Sequence, residues 1–396
     1  MHSWPYHAED EMTAVMQVLA SGKTNYWTGN ECREFEKEYA AYIDVPYAVA
    51  VMNGTVALEA ALYAFGIGPG DEVITSCRTF IASASCIVMR GATPVIADVD
   101  LISQNITVDT IKPCITPRTK AIIVVHLAGW PADMEAIMAL AAKHGLKVIE
   151  DCAQAHGAAW NNRKVGAWGD IGAFSFCQDK IITTGGEGGM ITTKDKQLWE
   201  KLWSFKDHGK NYEKIYFQDH PPGFRWLHDS FGTNWRMTEM QAAIGRIQLK
   251  KLTDWLLIRK RHAAKLNDAF KQLPALLVTL PPPQAEHVYY KYYVFIQPEH
   301  LKQGWDRDKI MQALNATGIA CYTGSCSEID LEKAFDTIEW LPRLKPNAKK
   351  LGETSLMFLV HPTLTDKDTQ TTIQAVRAVM AEAMCETMYL TEKEVQ

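Results

Sequence analysis

The stretch Gly172-Ala-Phe-Ser-Phe-Cys-Gln-Asp-Lys-Ile-Ile-Thr-Thr-Gly-Gly-Glu-Gly-Gly-Met190 sets an apolar strand, one lysine (Lys180) and a glycine-rich loop in immediate succession. Met190-Ile-Thr-Thr193 then reads as a further strand. Well upstream of Lys180, Asp151 closes another apolar strand, Leu146-Lys-Val-Ile-Glu-Asp151. Lys180 and Asp151 thus lie at or just beyond the carboxyl ends of strands, where open α/β sheets form their ligand crevices. The glycines of Gly185-Gly-Glu-Gly-Gly189 are too few and wrongly placed for a Walker loop, and a dinucleotide fingerprint needs a helix where this chain has a strand. They read as a sharp turn beside the lysine.

Outward from this stretch the same alternation continues. Apolar strands are predicted at 47–52, 72–75, 93–97, 121–126 and 147–151, with helical spacing over 31–44 (Phe35, Tyr39 and Tyr42 on one face), from Gly54 to about Phe65, and over 134–144. Strands alternating with helices predict an α/β fold with a mostly parallel sheet. A long helix follows over about 237–270, then the break Pro281-Pro-Pro283. The remainder mixes a strand at 289–297 with helices at 306–317 and 367–384, predicting a smaller α+β unit. The expected division is a large domain over 17–245 and a small one over 246–396, with residues 1–16 packing on the latter.

The chain has 396 residues, enough for two such units. Its net charge of −5 gives no footprint for nucleic acid or an anionic membrane. No apolar run approaches the ~20 residues of a spanning helix, and the first residues lack the pattern of a signal peptide. Nine cysteines, odd in number and without a Cys-x-x-Cys pair, fit reduced thiols and predict a cytoplasmic protein without a metal site.

A lysine amine that can form a Schiff base, with a carboxylate to keep a pyridinium nitrogen protonated, is the minimal equipment for pyridoxal phosphate chemistry. Gly54-Thr55 stands where a strand turns into a helix, either an anion site or a plain N-cap. Ser175 in a buried strand needs a partner, and a phosphate oxygen would serve. Gln154 and His156 follow Asp151 closely; the carboxylate either ends its strand structurally or fixes the ring nitrogen, with Gln154 donating to a ring hydroxyl. A metal at His156 has no second ligand at i+3 or i+4 to support it. Phe80 offers a face for stacking or is core. The segment 205–226 reads as an aromatic and basic loop, in which Lys206, Lys210 and Arg225 would meet a diphosphate and Tyr212, Phe224 or Trp226 would stack on a base or sugar, or else the loop packs on a second subunit.

Several blocks resemble the pyridoxal phosphate-dependent sugar aminotransferases of the DegT/DnrJ/EryC1/StrS type: Asn53-Gly-Thr-Val-Ala-Leu58, Gly66-Ile-Gly-Pro-Gly-Asp-Glu-Val73, Ile149-Glu-Asp-Cys-Ala-Gln-Ala-His-Gly157, the Lys180 segment, and Asn234-Trp-Arg-Met followed by Gln-Ala-Ala-Ile-Gly245. The resemblance implies the aspartate-aminotransferase fold (fold type I) with Lys180 as Schiff-base lysine and general base. It implies Asp151 at the ring nitrogen, Gln154 at the ring hydroxyl, Phe80 stacked on the ring, and Gly54, Thr55 and Ser175 at the phosphate. Asn234 would reach the phosphate of a neighbouring subunit, making the active unit a homodimer with shared sites. His208, Arg225, Arg236 and Tyr322 are the further candidates for substrate contact, Arg236 through the donor carboxylate. The chain departs from the pattern in its extra loop glycine, in Trp235, and in Ala320-Cys-Tyr-Thr-Gly-Ser-Cys-Ser-Glu328, where the family has a His-Tyr-x-Pro block. Related sugar dehydratases replace the lysine by histidine; Lys180 favours transamination.

The function expected is therefore transfer of an amino group from glutamate or glutamine to a nucleotide-linked keto-deoxysugar, at carbon 3 or 4, for amino-sugar and surface polysaccharide synthesis. A keto-cyclitol acceptor and a non-catalytic cofactor-binding or regulatory protein are the rival readings.

Overall fold

Seven strands build the central sheet: β1 (Tyr47–Val51), β2 (Glu72–Ser76), β3 (Thr93–Ala97), β4 (Thr119–Val125), β5 (Lys147–Asp151), β6 (Ile171–Ser175) and β7 (Gly189–Thr193). They lie in the order β1-β7-β6-β5-β4-β2-β3 in this computed structural model, which describes residues 3–219, 225–338 and 344–385. From β6 to β3 every pair is parallel, and β7 runs antiparallel between β1 and β6. Alternate residues of one strand serve opposite faces: Ile122 and Val124 of β4 join one core, Ala121 and Ile123 another. A sheet buried on both faces is what near-continuous apolar runs require.

The covering helices are α1 (Glu9–Ser21), α2 (Glu31–Ile43), α3 (Gly54–Ala64), α4 (Ala82–Met89), α5 (Met134–His144), α6 (Lys196–Lys206) and the long α7 (Glu239–Phe270). α3 and α6 cover the face that holds Ala121, and α5 covers the other. α7 starts on a capping box in which Thr238 and Gln241 satisfy each other's backbone N–H groups. Arg246 of α7 ties down α2 through Glu31 at 2.7 Å and Glu38 at 2.6 Å. α1 lies along α7, with Asp10 2.7 Å from Lys251.

Beyond α7 a four-stranded antiparallel sheet follows: β8 (Leu276–Leu277), β9 (Tyr292–Ile296), β10 (Cys321–Tyr322) and β11 (Ser355–Phe358), ordered β8-β9-β11-β10. It shares a core with the end of α7 and with α8 (Arg307–Ala316) and α9 (Asp366–Ala383), through Phe270, Val294, Leu314, Phe358 and Val376. Tyr293, Phe295 and Met357 of this sheet reach the core of the large one, so the two sheets meet over the carboxyl ends of β2, β4 and β5. No helix among the described residues is long and apolar enough to cross a membrane.

Candidate active site

A cavity of about 840 Å³ opens at that meeting, near the upper end of the usual range for small-molecule sites. Of the residues expected from the sequence, Gly54, Thr55, Phe80, Asp151, Gln154, Ser175, Lys180 and Tyr322 all line it.

Asn53 ends the β1 turn and caps α3 with its side chain, accepting from the Val56 N–H at 3.0 Å. Gly54 and Thr55 open α3 and line the cavity, and the first amides of a helix lack partners within it, so this N-terminus suits an anion. A Cβ on Gly54 would stand 2.6 Å from the Ser175 Cβ, so only glycine lets α3 approach the end of β6 this closely. Gly189, at the start of β7, is as constrained, since a Cβ there would meet the Asn53 carbonyl at 2.4 Å. A Gly54→Ala protein is expected to keep its fold while its affinity for pyridoxal phosphate falls about tenfold, because a displaced α3 opens the cradle. Equilibrium titration of cofactor-free protein measures it, and an unchanged affinity removes the phosphate from this corner.

Ser175 is held by His156. The imidazole is buried between the Tyr39 hydroxyl (2.8 Å to Nδ1) and the Ser175 carbonyl (2.9 Å to Nε2). A carbonyl only accepts, so Nε2 carries the proton and Nδ1 accepts from tyrosine. Burial keeps this ring neutral, its pKa pushed down to about 3. His156 is a strand clamp, and both its nitrogens are taken. A similar clasp lies beneath: His126, Glu150 and Cys152 bring ligand-type atoms within 4.8 Å of one another. The Glu150 carboxylate already accepts from the N–H groups of Gly166, Trp168 and Gly169 at 2.7–2.9 Å and from His126 at 3.1 Å. That saturated network anchors the turn before β6 rather than offering an open ion site.

Asp151 is buried at the cavity floor. Its Oδ2 accepts from the Ser83 hydroxyl at 2.8 Å and its Oδ1 from the Ala153 N–H at 3.2 Å. Burial raises its pKa above the ordinary carboxylate value; the Ser83 and Ala153 hydrogen bonds, then Lys180 and His126, pull it back. Such a carboxylate gains most from a cationic partner delivered into the cavity. The Gln154 side-chain carbonyl accepts from the Ala128 N–H at 2.8 Å, which leaves its amide N–H groups for the cavity. Phe80 is 68% exposed at the cavity, so its face is free for stacking and it is not core. Lys180 has its carbonyl fixed by the Trp4 indole at 2.9 Å, and its ammonium lies 5.0 Å from the Tyr290 ring centre. A buried carboxylate, a facing amine, an anion cradle and an exposed ring suit pyridoxal phosphate group by group.

The other expectations fare differently. Asn234, His208, Arg225 and Arg236 are not among the described residues lining this chain's cavity. His208, Arg225 and Asn234 are exposed, and Arg236 pairs with Asp207 at 2.7 Å. The diphosphate reading of Lys206 and Lys210 is corrected. Lys206 ends α6, fully buried, 2.9 Å from Glu36 and 3.9 Å over the Tyr26 ring. Lys210 is 3.1 Å from Asp207 and 4.1 Å over the Trp27 ring. Tyr212 packs edge-on against Trp199 and Trp203 instead of facing a ligand. Phe224 lies outside the described residues, and Trp226 is exposed. Sequence reasoning missed Ser83, Asp179, Tyr290, Lys291 and Tyr293, of which Ser83 contacts Asp151 and all five line the cavity. Only Asp179 carried a signal, as the neighbour of Lys180.

The chain has relatives among known aminotransferases. The chain is similar over 96% of its length, and 99% of the other, to the solved aminotransferase from Psychrobacter cryohalolentis, with 55% identity and a TM-score of 0.94. It is 41% identical over 314 residues (79% of this chain, 78% of the relative) to the UDP-N-acetyl-3-dehydro-α-D-glucosamine 3-aminotransferase of Acidithiobacillus ferrooxidans. It is 35% identical over 366 residues (92% and 90%) to the dTDP-3-amino-3,4,6-trideoxy-α-D-glucose transaminase of Streptomyces venezuelae. The model of the DegT/DnrJ/EryC1/StrS aminotransferase family matches residues 5–377. The chain belongs to that family, as an aminotransferase of the aspartate-aminotransferase fold that works with pyridoxal 5′-phosphate.

Proposed function

We propose that this enzyme moves an amino group from glutamate or glutamine to a keto-deoxysugar carried on a nucleotide, in two half-reactions on one site, for amino-sugar and surface polysaccharide synthesis. The convergence of Lys180, Asp151 and the Gly54–Thr55–Ser175 corner in one cavity carries the reading. Relatives named for UDP- and dTDP-linked sugars support the acceptor class, and nine free thiols support a cytoplasmic site of action.

When bound, pyridoxal phosphate supplies an aldehyde carbon that exchanges amines and a ring that accepts the electron pair of a deprotonated carbon. Lys180 holds and returns the amine position and carries the proton between the carbons on either side of the transferred nitrogen. Asp151 keeps the ring nitrogen protonated, Gln154 donates to the ring hydroxyl, and Phe80 covers one ring face. The Gly54 and Thr55 amides with the Ser175 hydroxyl hold the phosphate. Asn234, exposed and away from its own chain's cavity, completes the cradle of a second copy, with His208, Arg225 and Arg236 at the same border; the working unit is a homodimer. Residues 17–245 form the cofactor-holding domain, and 246–396 form the wall that brings Tyr322 to the sugar.

The test is optical. Protein loaded with pyridoxal phosphate absorbs in the visible, glutamate bleaches it, and a nucleotide-linked ketosugar restores the colour. Restoration by keto-cyclitols alone overturns the acceptor assignment.

A further inference from the structure

Lys180 is not the only amine at the Tyr290 ring. The Lys291 ammonium sits 4.7 Å from the centre of the same ring and lines the same cavity. Among the described lining residues, Lys180 and Lys291 are the cations. Besides the ring, Lys291 is held by an ion pair, 3.3 Å to Asp179 Oδ2, and that partner is half exposed. That same oxygen also accepts from the Tyr290 hydroxyl at 2.5 Å, so Asp179 stays satisfied when Lys291 turns away. Behind the ring the buried Arg259 guanidinium donates to the Tyr290 carbonyl at 3.2 Å, while its Nε and Nη2 have no hydrogen-bond partner among the described residues. Lys180 and Lys291 both act electrostatically on the Asp179 carboxylate, which in turn acts on Arg259, and cations in excess over that one anion make this wall of the cavity favour a second. Burial lowers the Lys291 pKa, with Asp179 opposing, so its charged form gains from an added negative partner.

In an α-amino acid such as glutamate or glutamine, a carboxylate is bonded to the carbon that bears the α-amine. A cation that receives it must therefore face the space reached by the Lys180 amine. We infer that Lys291 takes the α-carboxylate of the amino donor, exchanging its loose contact with Asp179 for that ligand. The inference rests on the two-half-reaction reading above and adds a residue specific to the donor half. Holding the carboxylate also fixes the donor's third dimension, turning its α-hydrogen toward the proton-carrying amine.

The experiment follows bleaching of the cofactor-loaded enzyme by glutamate in single turnover. In Lys291→Gln the half-saturating glutamate concentration is expected to rise about tenfold, the size of one charge-assisted contact. The saturating bleaching rate changes less, Lys291→Arg recovers most of the affinity, and the KM for a ketosugar, which lacks an α-carboxylate, stays at its wild-type value. Bleaching of the wild-type protein tests the cofactor chemistry itself; the contrast between variants tests Lys291. An unchanged glutamate concentration overturns the inference. So does a joint rise of the donor and acceptor constants, the mark of a structural role.

Discussion

Lys180→Ala is expected to cut turnover by about 10⁴-fold, the top of the range for positioned proton transfer, because one amine serves as both nucleophile and base. The fold should survive, since the residue is only partly buried and its anchoring contact, the Trp4 indole, goes to the backbone carbonyl. Borohydride reduction of loaded wild-type protein should fix the coenzyme to the peptide containing residue 180, and the variant should fix none there. Label on Lys291, the other lysine lining the cavity among the described residues, would move the covalent site and overturn the assignment. The same variant tests the shared site. Mixed and refolded with an Asn234→Asp protein, half of the dimers are hybrids, and each hybrid holds one intact site if Asn234 acts across subunits. About a quarter of wild-type activity should return. No recovery places Asn234 within its own chain's chemistry, and an Asn234→Asp protein as active as wild type by itself places it outside the site.

What the sequence made legible follows from how local each signal is. Strands β3 and β5 and helix α5 run over the ranges predicted from periodicity, because an apolar run or a 3.6-residue stripe is read within its own element. Asp151 and Lys180 stood out because a charge next to an apolar strand end conflicts with its surroundings. Ser83 gave no such signal: it sits in an apolar helix, and its hydroxyl matters only because the fold brings it to Asp151. Tyr290 and Lys291 come from the segment that precedes β9, and nothing in Tyr-Lys-Tyr-Tyr says which side chains face a cavity. The error at Lys206 has the opposite cause. A lysine among aromatics and other charges reads as solvated, yet Glu36 and the Tyr26 face, both distant in sequence, make burial of its ammonium tolerable.

Asp151→Asn separates stability from catalysis at a single carboxylate. Asparagine keeps the shape, and the hydrogen bonds can be remade. Its Oδ1 accepts from the Ala153 N–H, while its amide donates to the Ser83 hydroxyl, which can turn because it already pairs with Thr79 at 2.9 Å. Burial raises the Asp151 pKa in the folded chain, so the folded state binds its proton more tightly than the unfolded chain does. Stability from that proton is complete below the ordinary carboxylate value of 3.8 and is lost as pH rises through the higher folded value. Cofactor-free Asp151→Asn protein should therefore melt above wild type near neutral pH, with the difference closing in acid. Loaded protein should show the reverse ranking of usefulness. Without the carboxylate nothing holds the ring nitrogen's proton, and turnover should fall by on the order of 10²–10³-fold, as when one preorganised charge-stabilising group is removed. Melting curves across pH and single-turnover bleaching give the two readouts. If the variant melts below wild type at neutral pH, Asp151 is a structural strand terminator; if it bleaches at the wild-type rate, the ring nitrogen lies elsewhere.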